Sequence, residues 1–323
     1  MKTKMIAALL AMALAGFSAS ATAQTDFPSK PVQLVVGYPA GGNTDSIGRT
    51  LAQEARKFLG REVIVVNRLG AGGVLGMMSV ADSPPDGYTI GLATSSGFTI
   101  APFLMDVPAD LIERTTALVW LGRPQTGIAV RRDSTIHTVK DLIEQARRNP
   151  GKVSIGLQGG GSGASLALQA IALDEKLELS LVPFKGEAPA VTDLLGGHLV
   201  AVATSAFSFE RFVVAGNLRT IASTNEDRLL FEPNIPTLTE QGHAYNFPVI
   251  FYLLGPRGLA PAVAKRIADA FGQASRTPAY LDATAKNGVM YGNPIPGEAL
   301  ERYLMDERAK TGAMVKRLGL KKS

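Results

Sequence analysis

The sequence predicts an α/β protein of two lobes, with the second lobe inserted into the first. Short apolar segments alternate with longer segments of helical periodicity, which is the pattern of parallel βαβ units. The candidate strands, such as residues 32–37 (VQLVVG), are continuously apolar, which indicates sheets covered on both faces. The chain ends in candidate helices at 261–274 and 296–316 without strands of their own, so these helices are expected to pack on a sheet formed earlier.

The first 23 residues have the three parts of a secretory signal peptide. Lys2 and Lys4 form a positive start, residues 6–17 are apolar, and small residues lead to Ala23. An uncleaved anchor is disfavoured because the apolar run is shorter than the roughly 20 residues that a membrane-spanning helix needs. We expect cleavage after Ala23 and a periplasmic protein without a lipid anchor, because the chain has no cysteine to carry one.

Composition excludes several classes of site. With no cysteine, the chain has no disulfide, thiolate nucleophile or cysteine metal site. His137, His198 and His243 lie far apart without ligand partners at metal-binding spacing, so no metal or cofactor is expected. The formal net charge of +5 is scattered along the chain, whereas nucleic-acid binding requires a dense basic face. We therefore expect that the protein binds no nucleic acid. We also expect it to be a monomer.

In chain order, the first unit begins with the strand at 32–37 and a helix at 47–59. A strand at 63–66, a helix at 74–82 and a strand at 88–94 follow. Because the terminal helices must return to this unit, the first lobe is predicted to comprise residues 24–125 and 248–323.

The second unit repeats the order of apolar strand, turn and helix. Its predicted strands are 128–130, 152–156, 179–183, 200–204 and 218–223. Its predicted helices are 139–148 and 188–195, and residues 159–172 are predicted to be a glycine-rich turn that runs into a helix. This lobe is predicted to span residues 126–247, with a hinge where the chain crosses near residues 125 and 247.

The first glycine-rich turn, residues 39–45 (PAGGNTD), lies directly between a strand and a helix. Glycines allow close backbone approach to a ligand, and the free N–H groups of a helix start favour an anion. Asn43, Thr44 or Asp45 is expected to cap the helix through a side-chain oxygen. An ordinary strand–helix turn is the alternative interpretation.

The second turn, residues 159–163 (GGGSG), contains four glycines, more than a plain turn needs. The two turns lie one on each lobe and both follow strands, which is where open α/β sheets bind ligands. Two helix starts facing each other could hold two carboxylates or one oxyanion. A third glycine run at 70–76 has the spacing G-x-G-x-x-x-G, one residue too long for a dinucleotide fingerprint, and is expected to be structural.

An enzymatic interpretation remains as an alternative. Ser162 lies between Gly161 and Gly163, but a nucleophile elbow needs glycine at 164, where this chain has Ala164. A periplasmic hydrolase using Ser162 would also need a base within hydrogen-bond reach. A ligand sensor for a signalling receptor is a further alternative.

Six segments, spread in order over the mature chain, resemble one known family, the substrate-binding proteins of tripartite tricarboxylate transporters (the Bug or TctC-like family). They are residues 35–45 (VVGYPAGGNTD), 67–73 (NRLGAGG), 85–89 (PDGYT), 182–190 (VPFKGEAPA), 193–197 (DLLGG) and 235–237 (IPT). The resemblance implies a two-lobed periplasmic binding protein fold of type II with a ligand cleft between the lobes. It also implies that a small carboxylate is captured there and delivered to membrane permease subunits.

The resemblance also implies ligand-binding residues on both lobes. On the first lobe they are Tyr38, Ala40, Gly41, Gly42, Thr44, Asp45, Ser95 and Ser96. On the second lobe they are Gly159, Gly160, Gly161, Ser162, Ser165, Lys185, Thr204 and Ser205. No catalytic residue is implied.

The chain departs from the family pattern in two places. Residues 161–165 read GSGAS where GSTSH is usual, and Thr204 stands where an acidic residue is common. Hydroxyl and charge are thereby lost from the pocket. A bulkier or more apolar carboxylate, such as an aromatic acid, is therefore expected, and an amino acid is disfavoured because its ammonium needs an acidic partner.

Overall fold

The structure is a computed structural model that describes residues 27–108, 110–158, 162–291, 295 and 297–320. The predicted signal peptide, its cleavage site and the predicted ligand residues Gly159, Gly160 and Gly161 lie outside the described residues. Within the part of the chain described, no helix is long and apolar enough to cross a membrane.

The elements alternate as predicted, with several additions. The first part of the chain forms β1 (Val32–Val36), α1 (Asn43–Leu59), β2 (Val63–Asn67), α2 (Val74–Ala81), β3 (Thr89–Thr94), α3 (Ser96–Thr99), α4 (Ala101–Leu104) and β4 (Thr115–Pro124). The middle part forms β5 (Thr126–Arg131), α5 (Val139–Arg148), β6 (Val153–Gln158), α6 (Gly163–Asp174), β7 (Leu179–Phe184), α7 (Glu187–Leu195), β8 (Ala201–Ser205), α8 (Ala206–Val214) and β9 (Leu218–Ser223). The last part forms β10 (Phe251–Pro256), α9 (Pro261–Ala274), α10 (Pro278–Lys286), β11 (Val289–Met290) and α11 (Gly297–Arg317).

The first sheet has the strand order β11-β4-β10-β3-β1-β2. β1 lies between β2 and β3 and is parallel to both, whereas β10 is antiparallel to β3 and β4. The expectation that the terminal region adds no strand is wrong, because β11 pairs with the end of β4. The sequence analysis predicts neither β4 nor β11. β11 is only two residues long, and no strand boundary was recognised in the sequence around β4.

The second sheet has the order β7-β6-β8-β5-β9. β6 is parallel to both β7 and β8, so the carboxyl ends of these three strands lie at one edge. β5 is antiparallel to β8 and β9. The two sheets confirm the predicted α/β fold of two lobes, while the proposed lobe boundaries stay a prediction.

Helices cover both faces of each sheet, which explains the continuously apolar strands. In β1, Leu34 and Val36 face one core with helices α1 and α9, while Val35 faces another with α2 and α11. All three of these side chains are fully buried. The second sheet has a core on each face in the same way.

A separate apolar cluster joins the two halves. Leu166 of α6 packs against Ile100, Leu104 and Val315, which belong to the part of the chain around the first sheet. This cluster connects α11, near the end of the chain, to the first helix after the glycine-rich turn of the second lobe.

Candidate ligand-binding site between the two sheets

The carboxyl ends of β1 and β8 meet across the boundary between the lobes. Asn43, the first residue of α1, donates through Nδ2 to the Ser205 hydroxyl at 3.3 Å. The same Nδ2 donates to the Asn287 carbonyl at 3.1 Å. The predicted first-lobe turn and the predicted residue Ser205 are therefore brought together.

The local backbone explains why α1 begins where it does. Gly41 has a φ of +81°, which favours glycine, and Gly42 is extended at the cap position. The prediction that α1 starts at residue 47 is wrong, because Asn43, Thr44 and Asp45 already form its first turn. The prediction that Asn43, Thr44 or Asp45 caps the helix is also wrong, because the N-cap residue is Gly42, which has no side chain.

Asp45 instead points back and binds the turn that precedes it. Its carboxylate accepts from the backbone N–H of Gly41, from Arg49 Nε and from Asn67 Nδ2, each at 2.8 Å. Burial works in the opposite direction, but the hydrogen bonds from Arg49, Gly41 and Asn67 hold the pKa of Asp45 below its usual value. The Asp45 carboxylate thus stabilises the loop through these hydrogen bonds. A contact between Asp45 and a ligand stays a prediction.

The start of α1 is buried, with Asn43 and Thr44 exposed by only 9% and 7%. The N–H groups of a first helical turn have no intrahelical partner, so burying them calls for an acceptor from elsewhere. Asn43 Oδ1 is also buried without a hydrogen-bond partner among the described residues. Its orientation is fixed, because Nδ2 must face the Asn287 carbonyl, which only accepts.

Tyr38 joins the end of β3 to the third glycine run. Its hydroxyl donates to the Gly72 carbonyl and hydrogen-bonds Thr94 Oγ1, both at 2.8 Å. Thr94 Oγ1 in turn lies 3.2 Å from the hydroxyl of Ser96. Burial raises the pKa of the Tyr38 hydroxyl, which therefore stays protonated at neutral pH. Of the predicted residues, Tyr38 and Ser96 form one group of hydroxyls.

Ser95 lies beside this group but is engaged elsewhere. Its side chain accepts from the Ile250 N–H at 3.0 Å, so it ties β3 to the segment before β10. Close packing of glycines supports the structural role expected for the third glycine run. A Cβ on Gly37 would lie 2.5 Å from the Cα of Gly73, so close packing of the two turns needs glycine there.

On the second lobe, Ser162 is the N-cap of α6. Its hydroxyl accepts from the Ser165 N–H at 3.2 Å, and the Ser165 hydroxyl accepts from Gln169 Nε2 at 3.2 Å. The helix predicted to follow the glycine-rich turn begins at Gly163. Lys185 is exposed, and Thr204 is buried with its hydroxyl unpaired among the described residues.

The structure adds one acidic residue that the sequence interpretation left out. Glu187 begins α7 directly after β7, next to Gly186 with a φ of +115°. Burial raises the pKa of the Glu187 carboxyl to about 8, and the Ser205 backbone N–H offsets only part of this rise. Its position at the carboxyl end of a strand was the signal that could have found it.

The family model described as "Tripartite tricarboxylate transporter family receptor" matches residues 47–320. This chain belongs to that family of receptors. A relative of the receptor in Cupriavidus necator, "UPF0065 protein in gbd 5'region", is 33% identical over 98% of this chain and 96% of the relative.

Solved structures confirm the two-lobed fold of the receptor. The structure of the periplasmic binding protein BugD is 27% identical, with a TM-score of 0.81 over 92% of this chain and all of BugD. The structure of Rpa4515 from R. palustris with adipate is 24% identical, with a TM-score of 0.84 over 92% of this chain and all of Rpa4515. The solute-binding role expected from the resemblance is thereby confirmed.

The family is one of substrate-binding proteins and not of enzymes. In the receptor, the Ser162 hydroxyl serves the backbone of its own helix. Among the described residues, no group of three or more histidine, aspartate or glutamate side chains could hold a metal ion.

Proposed function

We propose that this receptor captures a small carboxylate between its lobes in the periplasm and delivers it to membrane permease subunits. The observation that carries this proposal is the buried start of α1 at Asn43 and Thr44, which faces Ser205 of the other lobe. Buried helix-start N–H groups form a site for an anion, and a carboxylate is the anion that satisfies two of them at once.

The two lobes divide the work in this proposal. On the first lobe, the start of α1 receives the carboxylate. Residues at the carboxyl ends of β6, β7 and β8 cover it from the second. Hinge closure then brings the Asn43 amide onto Ser205, so the closed form carries a direct link across the cleft.

Lobe boundaries at 24–125 with 248–323, and at 126–247, are part of the same proposal. The first sheet draws its strands from residues 32–124, 251–256 and 289–290, and the second from 126–223, which supports crossings near 125 and 247. A Cβ on Gly163 would lie 2.2 Å from the Phe247 carbonyl oxygen, so the second crossing runs directly against the start of α6. We propose that the receptor acts as a monomer.

Adipate in the structure of Rpa4515 supports a carboxylate as the solute class. Residues 162–165 (SGAS) have small side chains, so aromatic acids belong in the same screen. A hydrolytic function has less support, because the Ser162 hydroxyl accepts a hydrogen bond as a helix cap.

The test is a thermal-shift and calorimetric screen of the chain from Gln24 to Ser323 against aliphatic and aromatic carboxylates. Uncharged amides of the same acids are the matched controls. A carboxylate that binds the folded state at 100 times its Kd should raise the free energy of unfolding by about 2.7 kcal/mol, whereas its amide should not. Equal shifts with acid and amide, or no shift with any acid, would contradict the proposal.

A further inference from the structure

Helix α11 contacts both lobes, although its first turns belong to the first lobe. Leu304 packs into a core of the first sheet, and the Glu301 carboxylate accepts from the Ala117 N–H of β4 at 3.2 Å. Further along the helix, Val315 packs against Leu166 of α6 in the second lobe. One helix thus connects the two lobes in addition to the two crossings of the chain.

Leu166 is buried by residues of the other lobe. Its side chain is 0% exposed, and its buried neighbours are Ile100, Leu104 and Val315, which all belong to elements around the first sheet. We call these four residues the interlobe cluster. Because the removal of apolar surface from water is favourable, the burial of Leu166 stabilises the contact between the lobes at this point.

The end of α11 turns back onto the interlobe cluster. Gly319 has a φ of +62°, and its N–H donates to the Lys316 carbonyl at 3.2 Å. The Leu320 N–H donates to the Val315 carbonyl, also at 3.2 Å. These two bonds form a Schellman motif, which brings the apolar residue after the glycine back against the helix. Leu318 and Leu320 accordingly pack against the interlobe cluster.

A group of polar side chains lies at the last residues of α6 and α11. Arg317 donates to the carboxylate of Asp174 at 2.5 Å and to the Tyr245 hydroxyl at 3.3 Å. The guanidinium also lies 5.9 Å from the centre of the Tyr245 ring, and the Tyr245 hydroxyl donates to Asp174. Arg317 is half exposed, so these polar contacts add less stability than the apolar cluster does.

The first crossing of the chain is held by hydrogen bonds to both lobes. The side chain of Gln125, which is 1% exposed, accepts from the Leu230 N–H and donates to the Arg228 carbonyl. The backbone N–H of Gln125 donates to the Gly288 carbonyl, and its carbonyl accepts from the Ala206 N–H. Both the side chain and the backbone of this residue are therefore fixed.

The second crossing lacks such bonds. Asn246, Phe247 and Val249 form no backbone hydrogen bond with any residue that the structure describes. Asn246 Oδ1 is also buried without a partner in that part of the chain. Phe247 instead packs against the interlobe cluster. At this crossing, apolar contacts with α6 and α11 take the place that hydrogen bonds have at the first.

We propose that the interlobe cluster is a third connection between the lobes, which restrains the second crossing while the first crossing acts as the fixed pivot. α6 begins directly after the second glycine-rich turn, so its contact with α11 also sets where that turn lies relative to the first lobe. Loss of the cluster frees the second crossing and allows the lobes to separate further. The inference is independent of the proposed solute, because it concerns the unliganded protein.

The test measures the distance between the lobes in the unliganded mature chain by electron spin resonance. The chain has no cysteine, so spin labels attach only at introduced ones. Gln53→Cys on α1 and Thr192→Cys on α7 place one exposed label on each lobe. In this background, Leu166→Ala should give a longer mean distance and a broader distribution, because it removes the part of the cluster that the second lobe contributes.

Leu168→Ala is the matched control. Leu168 lies on the same helix and is 1% exposed, but it packs inside the core of the second sheet. It should lower the free energy of unfolding, as any large-to-small change in a core does, and leave the label distance as in the unaltered chain. Equal changes in distance for both variants, or no change for Leu166→Ala, would overturn the proposal.

Arg317→Gln tests the same connection without altering a core. It should shift the distance distribution in the same direction but less, by up to about fivefold in the ratio of longer to shorter distances. Arg308→Gln is its control, because Arg308 lies on the same helix and pairs with Glu113 of the first lobe at 3.5 Å. If Leu166→Ala does not fold, Arg317→Gln decides, and an unchanged distribution then overturns the proposal.

Hydrogen exchange checks the contrast between the two crossings. The amides of residues 125 and 126 should exchange slowly, and those of 246, 247 and 249 faster, because exchange follows the loss of hydrogen bonds. Leu166→Ala should speed exchange at the second crossing and leave the first unchanged. Faster exchange at the first crossing than at the second would contradict the roles assigned to them.

Discussion

The Asn43 amide and the Ser205 hydroxyl form a hydrogen bond of 3.3 Å between residues on different sheets. Asn43 begins the helix that follows β1, and Ser205 is the last residue of β8. The bond places the predicted ligand turn of the first lobe directly against the second lobe. Both residues are buried, and the bond between them links the two lobes.

Ser205→Ala should shift the balance between open and closed forms. It removes one hydrogen bond across the cleft, worth about 1 kcal/mol, and so should favour the open form about fivefold. Small-angle scattering of the unliganded chain should show a larger radius of gyration, and calorimetry a correspondingly weaker solute affinity. Ser208→Ala is the control, because the Ser208 hydroxyl donates to the Ser205 carbonyl within the same lobe. Equal radii for both variants would contradict the role of the bond in closure.

Asp45→Asn should lower stability in a pH-dependent way. An amide replaces one carboxylate oxygen by a donor, so the variant loses either the bond from Asn67 or the two bonds from Gly41 and Arg49, together with the charge that faces Arg49. The loss should be about 2 kcal/mol and the Tm should fall by about 5 °C. The folded pKa of Asp45 is below its usual value of 3.8, so its stabilisation is full above that value and is lost as the pH falls through the folded pKa.

Thermal unfolding of the Asp45→Asn chain at a series of pH values checks this. The difference in Tm from the unaltered protein should be largest near neutral pH and shrink below about pH 4. Asp306→Asn, at an exposed position of α11, should change the Tm little at any pH. A difference that is constant with pH would show that the carboxylate charge of Asp45 is not what stabilises the loop.

Two glycine-to-alanine changes should have opposite signs. A Cβ on Gly163 would lie 2.2 Å from the Phe247 carbonyl oxygen, so Gly163→Ala must displace α6 or the crossing segment, and should cost about 2 kcal/mol. Gly272 lies inside α9 with no atom within 4 Å of its Cβ position, so Gly272→Ala should stabilise by roughly 0.5–1 kcal/mol. Urea unfolding of both variants measures the two values. Similar signs would contradict the packing at Phe247.

Glu187 should make the unliganded closed form sensitive to pH. Its pKa in the folded protein is about 8, above the usual 4.5, so the carboxyl does not lower the free energy of unfolding at a pH below about 4.5. As the pH rises from there through about 8, the unfolded or open protein ionises freely while the closed protein resists, and stability falls. Tm values and scattering at about pH 5 and pH 8 should show this fall in the unaltered chain. In Glu187→Gln the fall should be smaller, and an unchanged pH profile would contradict the raised pKa of the Glu187 carboxyl.

Local patterns were enough to predict most elements of this fold. The apolar run of β1 and the spacing of α1 predicted a buried strand and an amphipathic helix, because burial periodicity is a property of neighbouring residues. The glycines at 41 and 42 predicted the turn between β1 and α1. β11 and α8 were missed, since a two-residue strand has no periodicity and α8 follows β8 without a break.

The structure brings together two of the predicted ligand-binding segments, whose binding role stays a prediction. The turn at 39–45 follows β1 and Ser205 ends β8, and the two meet through Asn43. The role of Asp45 in holding the turn could not be predicted, because one of its three hydrogen-bond donors is Asn67, at the end of a different strand. Glu187 was passed over because its sequence neighbours do not reveal its burial.

The sequence by itself determined the alternation of strands and helices, the glycine turns and, through six matching segments, the family. These features depend on residues close together along the chain. Only the tertiary structure decided that Asn43 meets Ser205, that β11 returns to β4, and that the Asp45 carboxylate already accepts hydrogen bonds from the protein. Each of these depends on contacts between distant segments, which packing of the whole chain sets and no local pattern encodes.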